Sequence, residues 1–150
     1  MFRGLHNINL DAKGRLAVPS KYRDTLGGVC AGQLVVTLDV AGKCLLVYPL
    51  PEWNDIQKKL DALPSFNPVA RSYQRILIGH ATDLELDANG RILIPQALRE
   101  RVGLDKESVL LGQGKKFELW SKDAWEACCE ESISLPENIE MPKELLELSL

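Results

Sequence analysis

The sequence predicts an α+β protein: two ββαββ units packed as a small pseudo-symmetric barrel, with peripheral helices. Three observations predict it. LDAKGRLAVPSKYR (residues 10–23) and LDANGRILIPQALR (residues 86–99) are identical at seven of fourteen positions. Apolar and polar residues alternate ahead of each copy, the period of a half-buried strand. A second set of landmarks then follows in the same order, Gly42-Lys43 and Trp53 after the first copy, Gly114-Lys115 and Trp125 after the second. The first set is offset by 76 residues and the second by 72. A shared order with one small gap marks an internal duplication.

Each unit reads the same way along the chain. Ile8 and Leu10 alternate with Asn7, Asn9 and Asp11; Leu84 and Leu86 alternate with Asp83, Glu85 and Asp87. Asp-Ala-Lys-Gly and Asp-Ala-Asn-Gly are then short hairpin loops. The Asp carboxylate can accept the loop's own N–H groups, and Gly14 and Gly90 supply the positive φ that closes the turn. Return strands follow at Leu16–Val18 and Ile92–Ile94. Pro19 and Pro95 end those strands and suit the first turn of a helix. Helices are expected from Ser20 to Leu26 and from Gln96 to Val102, stopped by Gly27-Gly28 and by Gly103. A second hairpin completes each unit: Leu34–Val40 with Cys44–Tyr48, and Ser108–Gly112 with Lys116–Trp120. Short hairpins bury little alone, so the two units should close on each other and cover their edges.

Trp53, Ile56, Leu60 and Leu63 stand at helical spacing, and so do Val69, Tyr73, Ile76, Leu77 and His80. Two helices therefore connect the units. Arg71 and Arg75 share a face of the second, as a solvated face or ion pairs, or else as a phosphate contact or inter-subunit bridge. A third helix is expected over Lys122–Ile133, with Ser121 as N-cap. The tail from Leu135 should be loosely ordered around Pro136 and Pro142. Its Leu145, Leu146, Leu148 and Leu150 could dock on a partner subunit. The expected organisation is a first repeat at 5–52, a helical connector at 53–80, a second repeat at 81–124, and a C-terminal helix and tail at 125–150.

Composition narrows the function classes. No apolar run approaches the roughly 20 residues that span a bilayer, and Met1-Phe2-Arg3-Gly4 does not begin a signal peptide. No membrane partner and a cytoplasmic location are expected. Cys30, Cys44, Cys128 and Cys129 form no metal-binding spacing, and the two histidines, His6 and His80, are far apart. Neither a metal nor a cofactor is expected. The net charge of −3 divides unevenly, +4 over residues 1–80 and −7 over residues 81–150. Nucleic-acid contact depends on local potential, so the basic first half keeps that function open.

The pattern Asp-x-x-Gly-Arg-apolar-x-apolar-Pro-x-x-apolar-Arg resembles the swapped-hairpin barrels of the SpoVT-AbrB superfamily. Two copies in one chain narrow the resemblance to the MraZ family. MFRG, the repeated DxxxR, YPLPEW (48–53), NPVARSYQRILIGHA (67–81) and KFELW (116–120) carry it. The resemblance implies a DNA-binding transcriptional regulator of the division and cell-wall gene cluster. It further implies a homo-oligomeric, closed-ring protein, nucleoid-associated, that binds direct repeats of double-stranded DNA in its own promoter. The motif falls on Asp11 and Arg15, and again on Asp87 and Arg91.

Arg15 could read a guanine edge or grip a phosphate, or could pair with Asp11 across the turn. Lys13, Arg3, Lys21 and Arg23 are candidate phosphate contacts. Arg91 is a weaker one, since the second copy has Asn89 for Lys13 and Ala97 for Lys21. Asp11, Gly14, Asp87 and Gly90 are expected to build the loops. The basic half would form the DNA edge, and the acidic half would face away or meet other subunits. Two rivals remain. Asp11 and Asp87 could suggest a carboxylate dyad, but there is no Asp-Thr-Gly, no phosphate loop and no nucleophile–His set, so no enzyme is expected. An oligomeric protein-binding scaffold with weak or non-specific DNA affinity is the other.

Overall fold

The computed structural model describes residues 1–133 and 142–148. The elements, in chain order, are β1 (Phe2–Asn9), β2 (Arg15–Ala17), α1 (Ser20–Cys30), β3 (Gln33–Leu38), β4 (Leu45–Pro49), α2 (Leu50–Asp61) and α3 (Pro68–Leu77). They continue with β5 (Thr82–Glu85), β6 (Arg91–Leu93), α4 (Gln96–Arg101), β7 (Glu107–Gly114), β8 (Lys116–Ser121), α5 (Lys122–Ile133) and α6 (Lys143–Leu146). Each half is therefore ββαββ, followed by helix.

The second hairpins form as the turn signals predict, β3 with β4 and β7 with β8. The first hairpins do not. The turns close, with the Gly14 N–H donating to the Asp11 carbonyl and the Asp11 N–H to the Arg15 carbonyl. Their strands then pair with the other half: β1 runs antiparallel to β7, β5 to β3, and β2 to β6. A short polar loop between two apolar runs specifies a reversal of the chain. It leaves each strand's ladder partner open.

The result is a six-stranded sheet in the order β1-β7-β8-β4-β3-β5 and a two-stranded ribbon of β2 and β6. The expected closed barrel is not present among the described residues, because β1 and β5 end the large sheet at separate edges. Instead the ribbon, α1 and α4 cover one face of that sheet. Leu16, Leu26, Ile92, Ile94 and Leu98 meet Leu34, Val36, Leu45, Val47, Phe117 and Leu119 there. The alternate residues Val35, Leu46, Tyr48, Val109 and Trp120 point to the other face, which α2, α3 and α5 cover. The duplication repeats in the aromatics: Tyr48 packs against Trp53 in a tilted pair and Trp120 against Trp125 edge to face, each with ring centroids 5.7 Å apart.

Helix α1 passes through Gly27-Gly28, which the sequence reading made its stop. A helical glycine costs about 1 kcal/mol relative to alanine. Burial of Leu26 and packing of Cys30 on the core outweigh that cost. The helix stops instead at Ala31, which is left-handed at φ 51°, and Gly32, at φ 76°. Helix α4 ends as expected, at Val102 and Gly103 (φ 66°). Ser121 caps α5 by accepting the Ala124 N–H at 3.1 Å. In the tail, Leu145, Leu146 and Leu148 are exposed; Leu135, Pro136 and Leu150 lie outside the described residues.

Candidate nucleic-acid interface

The ribbon positions the repeated motif. Leu16 and Ile92 face each other at its centre and point into the core. One residue to either side, the side chains point outward. Arg15 stands opposite Leu93 and Arg91 opposite Ala17. The two motif arginines are therefore diagonal neighbours on one outward face, each at the foot of its own exposed loop.

Both loops have the same internal wiring. In the first, Asp11 Oδ1 accepts the N–H groups of Lys13 and Arg15, both at 2.9 Å, and Oδ2 accepts Arg15 Nε at 2.8 Å. In the second, Asp87 Oδ1 accepts those of Asn89 and Arg91, at 2.8 and 2.9 Å, and Oδ2 accepts Arg91 Nε at 3.0 Å. Donation by the Arg15 backbone N–H, chiefly, and by its guanidinium and Lys13 holds the Asp11 carboxyl below the ordinary carboxylate value. Asp87 is lowered in the same way, first by the Arg91 backbone N–H. The pairing of arginine with aspartate across the turn thus holds in both copies. It leaves each arginine side chain about one-third exposed, at 31% and 32%.

Gly14 and Gly90 have φ of 86° and 71°, as the turn requires. They carry a second constraint. A Cβ on Gly14 would lie 2.5 Å from both Cζ and Nε of Arg99. A Cβ on Gly90 would lie 2.6 Å from Cδ and 2.7 Å from Cζ of Arg23. Each guanidinium is anchored by Nε, Arg99 to the Ile94 carbonyl at 3.0 Å and Arg23 to the Val18 carbonyl at 2.7 Å. Arg23 therefore sits at the second loop rather than beside Arg15, Lys13 and the first. Sequence reasoning passed over Arg99. Its signal was available: it is the last of the seven identities between the copies.

The remaining candidates spread out. Lys13 is exposed at the tip of the first loop. Arg3 is exposed on β1, and its carbonyl accepts Lys21 Nζ at 3.3 Å and the Tyr22 hydroxyl. His6 Nε2 lies 3.1 Å from that hydroxyl. Burial, then the charge of Lys21, lowers the His6 pKa below its ordinary value. Arg71 and Arg75 are exposed on α3 and join no ion pair among the described residues. No cluster of three or more His, Cys, Asp or Glu suited to a metal occurs among the described residues. No described helix is long and apolar enough to cross a membrane.

Two ββαββ units that exchange strands around one shared ribbon, each offering a turn-held arginine, define an internally duplicated, intertwined-hairpin protein. A family model described as "MraZ protein, putative antitoxin-like" matches the chain twice, at residues 1–76 and 77–144. The chain belongs to the MraZ family. It is 53% identical over 150 residues to the "Transcriptional regulator MraZ" of Saccharophagus degradans. It is 52% identical over 152 residues to that of Coxiella burnetii (strain RSA 493) and 55% identical over 151 to that of Pseudomonas aeruginosa (strain PAO1). All three alignments cover the whole of both chains. The shared name is that of a regulator and not of an enzyme.

Proposed function

We propose that this chain regulates transcription by binding double-stranded DNA through the outward face of the β2/β6 ribbon and its two loops. The observation that carries this reading is the placement of Arg15 and Arg91 together on that face, each oriented by its own aspartate. An orienting carboxylate that takes Nε fixes the guanidinium plane, and a fixed, part-exposed guanidinium suits guanine edges and phosphates. Lys13 at the loop tip supplies a phosphate contact on that face, and Arg3 and Lys21, together at the far end of β1, supply further phosphate contacts away from the ribbon. One such face makes few contacts and binds in a salt-sensitive manner. A homo-oligomeric ring repeats the face, and direct repeats in the chain's own promoter engage several faces at once, so modest contacts multiply. The family resemblance supplies the rest of the reading: the regulated genes are the division and cell-wall cluster, and the protein acts in the cytoplasm at the nucleoid.

The test is a gel shift with the region upstream of the chain's own gene, at two salt concentrations, for the native chain and Arg15→Glu. The native chain should prefer the repeat-bearing fragment and weaken steeply with salt. Arg15→Glu should lose that binding and keep its oligomeric state by light scattering. Normal binding by the variant would overturn the reading, and no binding by the native chain would favour a protein-binding scaffold.

A further inference from the structure

We propose that Arg23 and Arg99 are positioning residues that act across the duplication, each setting the loop of the other repeat. The inference rests on the DNA-binding reading above only for its functional consequence. Arg99 belongs to the second repeat, yet its guanidinium fills the space beside Gly14 that a Cβ would need. Arg23 belongs to the first repeat and fills the same space beside Gly90. Nε of each donates to the carbonyl that follows its own short strand, Ile94 for Arg99 and Val18 for Arg23. Those two residues meet the loops in turn: the Ile94 N–H donates to the Gly14 carbonyl at 3.0 Å and the Val18 N–H to the Gly90 carbonyl at 2.9 Å. Each glycine is thus held at its carbonyl by one residue of the opposite repeat and covered on its Cα side by the arginine anchored to that residue. Glycine is required twice over, for its φ and for the arginine's approach. A side chain whose Nε is spent on a carbonyl, and whose end abuts a glycine, holds that loop in place.

The consequence is that the two repeats do not read DNA independently. The first loop holds the geometry of Asp11 and Arg15 only while Arg99 is in place, so loss of an arginine in the second repeat weakens the first repeat's contact.

The test uses the full-length chain and two measurements. In hydrogen exchange followed by NMR, Arg99→Ala should speed exchange of the Gly14 and Arg15 amides, both bonded within the first turn, and leave those of Gly90 and Arg91 unchanged. Arg23→Ala should do the reverse. Acceleration in the same repeat, in both loops equally, or in neither overturns the proposal. If Arg99→Ala does not fold, Arg99→Lys keeps the charge and the stem but loses the planar fork, and the same crossed pattern is required of it. In binding to the upstream DNA fragment, Arg99→Ala should lose about tenfold, the worth of one charge-assisted hydrogen bond. That loss should largely vanish in an Arg15→Ala background and persist in an Arg91→Ala background. Losses that multiply with Arg15→Ala show a separate contact and overturn the positioning role. Should Arg15→Ala alone bind normally, the DNA reading fails, and the exchange pattern still decides whether the arginines act across the repeats.

Discussion

Leu16 pairs with Ile92 at the centre of the β2/β6 ribbon, and the two are 76 positions apart, the offset of the sequence repeat itself. Each residue therefore faces its own duplicate, as residues do at a two-fold axis. The large sheet has the same relation: Leu46 of β4 faces Glu118 of β8, at the offset of 72. The two halves are related as the subunits of an intertwined dimer, joined by α2 and α3.

Such intertwining forbids an independent half. In residues 1–76 alone, β1 would lack β7, β2 would lack β6, and β3 would lack β5. That fragment is expected to be unfolded, or to fold only by pairing with a second copy. Circular dichroism with size-exclusion chromatography distinguishes the cases, and a folded monomer of 1–76 would contradict the exchanged pairing.

How much of this was legible in the sequence depended on the range of the interaction. The β3/β4 and β7/β8 hairpins were legible because partner strands lie next to their turn, and Asp11 and Asp87 were legible because an aspartate bonds its own loop. The partners of β1, β2, β5 and β6 were not, since period-two alternation says which face is buried and not which strand lies alongside. The crossing of Arg23 and Arg99 was hidden for the same reason. Both copies hold identical residues there, so nothing in either copy marks that the contact exchanges. The exchange is reciprocal, Arg99 standing at the first loop as Arg23 stands at the second, so each loop keeps one such arginine.

Thr37 is fully buried in β3, and its hydroxyl donates to the Leu77 carbonyl, the last residue of α3, at 2.6 Å. Valine has the same shape without the hydrogen. Thr37→Val should leave that carbonyl unpaired and cost about 1–3 kcal/mol, read as a lower urea midpoint at unchanged slope. An unchanged midpoint would mean that the hydroxyl does not tie α3 to the sheet.

The loop aspartates set a pH dependence. Their folded pKa values lie below the ordinary 3.8. A carboxyl depressed in the folded state stabilises it fully above the unfolded value, and that contribution fades as the pH falls through the folded value. The double variant Asp11→Asn, Asp87→Asn should therefore melt below the native chain at pH 7. The gap should close as the pH drops below about 4. A gap of equal size at pH 3 and pH 7 would show that the carboxylate charge is not what holds the loops.

Gly27 and Gly28 offer a gain in stability. They lie inside α1 with ordinary helical φ, and a Cβ on either would meet nothing within 4 Å. Elsewhere a glycine is needed, as at Gly14, where φ is 86° and Arg99 fills the space. Here neither reason applies, and glycine only adds freedom to the unfolded chain. Gly28→Ala should therefore raise stability by about 0.4–1 kcal/mol, while Gly14→Ala should lower it. Removing the arginine should relieve only the second: Gly14→Ala combined with Arg99→Ala should recover part of the loss, the remainder being the cost of a left-handed alanine. Urea unfolding of Gly28→Ala, Gly14→Ala, Arg99→Ala and the Gly14→Ala, Arg99→Ala double variant checks the set. Stabilisation by Gly14→Ala, or the same loss with and without Arg99, would show that the guanidinium does not press on the turn.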